Sequence, residues 1–265
     1  MAPPGSPEAP DAVRWRALNW AFFAVAAAIA VVLVGRTWAD WPRLWTDPIH
    51  DRNAHLDVGV QHAADLRHLR IVDLLRDVHS FRSWPPLHDG LLVGLAVLLS
   101  GLDPRAAIVP SAVAFAATAV TVAAIVRALL PRPTTFGPHL AGVAAGALVL
   151  ASPAMRAFAG DVMLESPGAA LSAAVLLAAV RDRQRPDVGR ARVLGIALTS
   201  LFFTKYNYWT VAVLAVAPIW WPLVRSVVAE LGALLRSARS GVRRARRGAT
   251  GAGIATVSAA SLVGV

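Results

Sequence analysis

Two short elements hold residue types that could do chemistry. Asp51-Arg52-Asn53-Ala54-His55 lies about thirty residues before Ser83-Trp84-Pro85-Pro86-Leu87-His88. Carboxylates and imidazoles are the side chains that move protons near neutral pH or recognise polar ligands. Both elements fall within residues 36–89, the one long polar stretch of an otherwise apolar chain. That stretch holds eight of the sixteen acidic residues and six of the seven histidines. A chain that gathers its acids and imidazoles beside one bilayer face concentrates its chemistry or recognition there.

The elements that must position these residues are hydrophobic helices. Apolar residues make up 56% of the 265 positions and charged residues 16%, where a soluble domain carries nearer about a quarter. The runs 17–35 and 106–126 contain no charge and have the length of a membrane span. Several of the nine tryptophans stand at the ends of apolar runs, where interfacial belts place them. These features predict an all-α fold, a polytopic transmembrane helical bundle in the plasma membrane, with an extracytoplasmic first loop carrying amphipathic helices. With no cysteine, disulfide, thiol and zinc–thiolate chemistry are excluded. A net charge of +10 would suggest nucleic acid in a soluble protein. Here the arginines flank apolar runs and act as topology signals, so membrane lipids, and no nucleic acid, are the expected partners.

Further spans are predicted near 139–155, 166–180, 193–205 and 208–224. Arg127 and Arg132, the arginines from Arg181 to Arg192, and those from Arg225 to Arg247 mark three loops. The positive-inside rule makes all three cytoplasmic, together with the N-terminal tail 1–16, expected to be disordered. Parity then places 36–105, roughly 156–165, and Lys205-Tyr206-Asn207 on the outer side. Acids, histidines and a cation thus converge from three loops onto one face. Parity also forbids Leu91–Leu102 from crossing. Its 12 residues give about 18 Å of helix against a core of about 30 Å, so a half-inserted or tilted outer helix is predicted.

Within the outer loop, 61–79 reads as one helix. Ile71, Leu74, Leu75 and Val78 share one face; Arg70, Asp73, Arg76 and Asp77 share the other. Such a helix can lie along the membrane surface. In Trp84-Pro85-Pro86-Leu87 two prolines fix an extended backbone, and Asp89 reads as the cap of the apolar helix that follows. The element is either a helix-entry turn or a rigid corner holding Trp84 and His88 over a cavity.

The order of these elements carries a resemblance. An N-terminal anchor leads to an acidic motif in the first outer loop and then to the Trp-Pro-Pro-Leu element. Ser152-Pro153 ends a later span, followed by Met163-Leu-Glu-Ser-Pro167 and Leu198-Thr-Ser-Leu-Phe-Phe-Thr-Lys-Tyr206. Over roughly residues 15–224 this set resembles the GT-C superfamily of integral-membrane glycosyltransferases, nearest to the protein mannosyltransferase and aminoarabinose transferase branch. The resemblance implies a polyprenyl-phosphate-linked sugar as donor, a glycan, lipid or protein as acceptor, and transfer on the extracytoplasmic side.

It also implies an essential acid in the first outer loop. The family's motif there is commonly Asp-Glu-x-x-Tyr. Asp51 matches it, Arg52 replaces the second acid, and His55 replaces the Tyr. These departures leave use of a divalent cation and the acceptor type open. The second acidic position matches Asp161 or Glu165. Lys205 lies where relatives place a cation near the phosphate. Glycosyl transfer passes through an oxocarbenium-like state, so a carboxylate near the acceptor serves as base. The leaving phosphate needs a cation. Asp51 is the expected base, with Asp161 or Glu165 as the further catalytic acid, and Lys205 or Arg156 is expected to meet the phosphate. His55, Trp84, Pro85, Pro86, His88, Arg156, Lys205 and Tyr206 are the expected substrate-binding set.

By this resemblance 17–224 is the catalytic module and 225–251 a basic cytoplasmic linker. The apolar stretch 252–265 is expected to begin a further span in a truncated form of a longer protein. The competing expectation is a transporter or a non-catalytic membrane protein. A transporter should show internal repeats and broken helices with ionisable residues at mid-membrane. No clear repeat is present, and the ionisable residues gather at the ends of the runs.

Overall fold

The computed structural model describes residues 10–44, 50–80, 86–131 and 136–218, with single helical positions at 220, 221, 225, 230 and 236. Among them there is no strand. The chain divides into two compact units, 1–216 and 217–265. In the second, the Arg225 guanidinium stands 5.3 Å from the centre of the Trp221 ring. Trp84 and Pro85 lie outside the described residues, as do the stretch 252–265 and all of 225–251 except three positions.

The first helix, α1 (Pro10–Ala39), extends the apolar run 17–35 in both directions. Pro10 to Arg16, expected within a disordered tail, are therefore helical, with proline at the start where its missing N–H costs no helix bond. A short turn, α2 (Trp41–Leu44), leads on to α3 (His50–Arg67) and α4 (Ile71–Ser80). The single helix expected over 61–79 is thus broken. Leu69 adopts φ 54°, its N–H bonds the Leu66 carbonyl, and the Arg70 N–H bonds the Asp65 carbonyl. This pair of bonds around one left-handed residue is the Schellman closure of a helix C-terminus. A π-helical stretch, Leu87–Val93, runs into α5 (Gly94–Leu99). The same closure ends α5, this time around Gly101. Leu87–Leu99 is apolar but short of a span, and it packs on α3.

Asp103 caps the 3₁₀ turn Pro104–Ile108 by accepting from the Arg105 N–H, and α6 (Val109–Leu129) follows. Next come α7 (Phe136–Ala151) and α8 (Pro153–Ala159), bent by 66°. Ser152 caps α8 through the Met155 N–H, and Pro153 occupies its first turn. Proline cannot continue α7, which is why the bend falls there. Two helical segments remain, α9 (Glu165–Gln184) and α10 (Val188–Phe202), and residues 206–218 are again helical.

Two described helices are long and apolar enough to cross a membrane, Val13–Ala39 and Pro104–Leu129, or three if the bent α7–α8 pair is one span. The spans expected at 166–180 and 193–205 do not meet that measure. The last turn of α9 is Arg181-Asp182-Arg183-Gln184, and α10 has 15 residues.

The hub of the first unit is α6, which packs on α1, α7 and α9. Its interface with α1 and α7 is made of Phe22, Ala26, Phe115, Ala119, Ala123 and Leu150. Alanines at the contacts let backbones approach closely, the packing used where lipid removes the hydrophobic drive. A second core of Ala63, Val93, Val97, Ala107, Ile108 and Val162 joins α3 to the π-helical stretch, to α5 and to the 3₁₀ turn before α6.

Contacts join the start of α1 with the ends of α6 and α9 and the starts of α7 and α10, so the unit has two chemically distinct ends. At one end Asn19 of α1 bonds both Arg127 and His139, Gln184 reaches the Ala128 carbonyl, and Arg190 reaches that of Arg181. The other end gathers the polar stretch after α1 with the α8–α9 and α10–206 connections.

Candidate functional site

The site begins with the phase of α3. Arg52, His55, Val58, Gly59, His62, Ala63 and Asp65 are buried, while Asp51, Asn53, Asp57 and Gln61 are exposed. Charged and imidazole side chains therefore face inward, the reverse of an ordinary amphipathic surface helix. Close packing requires glycine at two positions. A Cβ on Gly59 would fall 2.3 Å from Val93 Cγ1, and one on Gly90 would fall 2.6 Å from His62 Nδ1. The π-helical stretch is thereby pressed onto α3.

That contact brings His55, His88 and Asp89 together. His55 Nδ1 lies 2.9 Å from one Asp89 oxygen and His88 Nδ1 lies 2.7 Å from the other. All three side chains are essentially excluded from solvent. The imidazole rings meet edge to face with centroids 5.9 Å apart. Burial pushes the Asp89 carboxyl upward, but the bonds from His55 and then His88, with their charge, outweigh it and hold the group below the usual carboxylate range. An ionised carboxylate can only accept, so each Nδ1 carries its proton and donates. His88 Nε2 is buried without a hydrogen-bond partner among the described residues. Next to this cluster, burial lowers the His62 pKa, against the opposing charges of Asp77, Asp65 and Asp89. His55, His88 and Asp89 are the one group of three or more metal-ligating side chains found close together among the described residues.

Two ion pairs tie the other predicted segments to the same end. Arg52 grips Asp161 with both branches, Nε to Oδ1 at 2.5 Å and Nη2 to Oδ2 at 2.6 Å. The paired side chains are 8% and 14% exposed. Lys205 Nζ meets Glu165 Oε1 at 2.5 Å and stands 4.8 Å from the centre of the Tyr208 ring. The second Glu165 oxygen is buried without a hydrogen-bond partner among the described residues. The Leu87 N–H donates to the Phe203 carbonyl, joining the π-helical stretch to the Lys205 connection. Residues 52–55, 87–89, 161–165 and 203–205 thus share one end of the unit.

The remaining predicted residues are placed differently. Asp51 is exposed in the first turn of α3, one step of about 100° from Arg52 and turned away from the buried face. Arg156 is exposed and reaches the Ala151 carbonyl. Tyr206 is exposed. Pro86 lines a cavity of about 460 Å³ with Leu66, Leu74, Leu75, Leu87, Leu91 and Phe203. Its wall is nearly all apolar, with His62 and Gly90 on the side toward the His–Asp cluster.

The sequence offered Asp89 as a helix cap, and it is instead the buried centre of the cluster. The overlooked signal was a His-Asp pair set directly between apolar neighbours, Leu87 and Leu91-Leu92, where a solvated acid has no place. Arg52 was seen only as a departure from a motif, yet it is the partner of Asp161. The chain matches no family model, and no curated protein and no solved structure matches it. The functional argument therefore rests on the geometry above.

Proposed function

We propose that this chain is a multi-pass plasma-membrane glycosyltransferase of the GT-C kind, moving a sugar from a polyprenyl phosphate to an acceptor on the extracytoplasmic side. One observation carries the proposal. The segments at 51–55, 161–165 and 205 meet at a single end of the unit, beside an apolar cavity, while the arginine-rich turns lie at the other end. A lipid-linked sugar needs that combination of an apolar slot and adjacent ionisable groups. The arginines supply the cytoplasmic orientation by the positive-inside rule. The all-helical chain with at least two helices of spanning length fits a membrane enzyme.

In this mechanism the isoprenoid lies in the cavity between Leu74, Leu87 and Phe203. The acceptor oxygen attacks the anomeric carbon as the bond from that carbon to the phosphate oxygen breaks, which inverts the centre. The acceptor proton passes to Asp51, whose exposed carboxylate is open to an incoming hydroxyl. The leaving phosphate takes the electron pair, and Lys205 meets its charge. Asp161 is held by Arg52 and acts as a clasp between α3 and the α8–α9 connection. Glu165 positions Lys205.

The test is transfer of radiolabelled sugar from polyprenyl-phosphate donors in membranes carrying the wild type or Asp51→Asn. Loss of a general base lowers transfer by about 10²–10⁴-fold. Equal transfer by both proteins removes Asp51 from the mechanism, and no transfer by the wild type from any such donor removes the function.

A further inference from the structure

We propose that His55, His88 and Asp89 bind one divalent transition-metal ion, with zinc the best match to the donor set. This does not rest on glycosyl transfer. The three residues each offer one ligand atom, and those atoms lie within 4.8 Å of one another. Two of the contacts, 2.7 and 2.9 Å, are already tighter than the edge of a tetrahedral zinc site, about 3.3 Å for bonds near 2.0–2.1 Å. The ion displaces the two protons from Nδ1, so that each ring ligates as a neutral imidazole, and small side-chain adjustments bring the set to coordination distance.

Chemistry narrows the ion. Two imidazoles and one carboxylate favour zinc, cobalt, nickel or copper. Magnesium and calcium take oxygen ligands instead. The absence of cysteine leaves no competing thiolate.

The second observation is His88 Nε2, wholly buried with no hydrogen-bond partner among the described residues. A ring nitrogen stranded in this way loses its hydration without return. Coordination through Nδ1 gives Nε2 no partner of its own, but its binding free energy offsets that cost. The cluster is also held rigidly. Gly59 and Gly90 let the π-helical stretch close onto α3, which brings His88 and Asp89 against His55. A π-helical distortion inside a helix is frequent at functional sites.

The purified, tag-free full chain in detergent is stripped with chelator and titrated with Co²⁺, then with Zn²⁺. The expected result is one Co²⁺ per chain, with the visible bands of a low-coordinate nitrogen–oxygen site that Zn²⁺ abolishes, and a thermal midpoint raised by the metal. His88→Gln and Asp89→Asn keep size and polarity; each is expected to weaken Co²⁺ binding by at least 10-fold and to lose the metal-dependent rise in midpoint. His68→Gln, at an exposed position outside the cluster, retains both. Circular dichroism and size exclusion establish that each variant is folded. A folded wild type that takes up less than a tenth of an equivalent, or H88Q and D89N variants that keep the wild-type Co²⁺ spectrum, overturns the site and leaves a proton-sharing His–Asp–His cluster. Either result leaves the sugar-transfer assay untouched.

Discussion

At the scale of the residue, neighbours in sequence have opposite roles. Asp51 and Arg52 differ by one step around α3, and that step separates an exposed carboxylate from a buried guanidinium. The consequence is measurable as stability. Arg52→Met leaves the Asp161 carboxylate, 14% exposed, without its bidentate partner. Breaking a buried pair costs about 3–5 kcal/mol, so a loss of about 3 kcal/mol is expected in thermal or denaturant unfolding in detergent. Asp51→Asn, a surface change, should stay within about 0.5 kcal/mol. The combination Arg52→Met with Asp161→Leu should recover much of the loss, because no buried charge is then stranded. Equal stability of the Arg52→Met variant and the wild type would show that the pair is solvated. The importance of Arg52 was not legible in the sequence, because the partner lies 109 residues away and no local pattern encodes it. The concentration of ionisable side chains at 51–55 was legible, because acids and imidazoles in an apolar chain are expensive to keep.

At the scale of the element, what could be read followed local steric rules. Ser152-Pro153 announced a break, and a 66° bend stands there. The apolar helix expected to run to Leu102 stops at Leu99, because Gly101 takes the left-handed conformation that glycine adopts without cost. The break after α3 escaped detection because the left-handed residue is a leucine, and periodicity over 61–79 runs through it undisturbed. Leu69 at φ 54° is 80% exposed, so it carries backbone strain with little packing in return. Leu69→Gly is expected to raise stability by about 0.5–1 kcal/mol, strain relief being partly offset by the freer unfolded chain. Thermal unfolding of the two proteins measures it, and a fall in stability would mean that the side chain is anchored. Of the apolar face foreseen over 61–79, Ile71, Leu74 and Leu75 fall on α4. Ile71, Val72 and Leu75 are largely exposed, and Leu74 and Leu75 line the cavity. Such a face suits a helix lying on lipid.

At the scale of the whole molecule, the arginine pattern and the alternation of helices give one expectation of sidedness. The chain has no cysteine, so single cysteines report without background. Asp57→Cys and Arg183→Cys both replace exposed residues, one at each end of the unit. In intact cells a membrane-impermeant maleimide should label the first and reach the second only after lysis. Labelling of both from the same side would contradict the parity that keeps 87–99 from crossing and the arginine-rich turns inside.

The sequence by itself determined the helical class, the apolar runs of spanning length, the break at Ser152-Pro153, and the segregation of acids and histidines from the arginine-rich turns. Each follows from solvation or from local backbone sterics, which act over a few residues. Only the tertiary structure decided which face of α3 is buried, that Arg52 rather than Asp51 meets Asp161, and that Asp89 joins His55 across 34 residues. Those outcomes depend on helical phase and on two glycines that let the π-helical stretch close onto α3. Contacts of that kind arise from packing, and short-range propensity does not encode them.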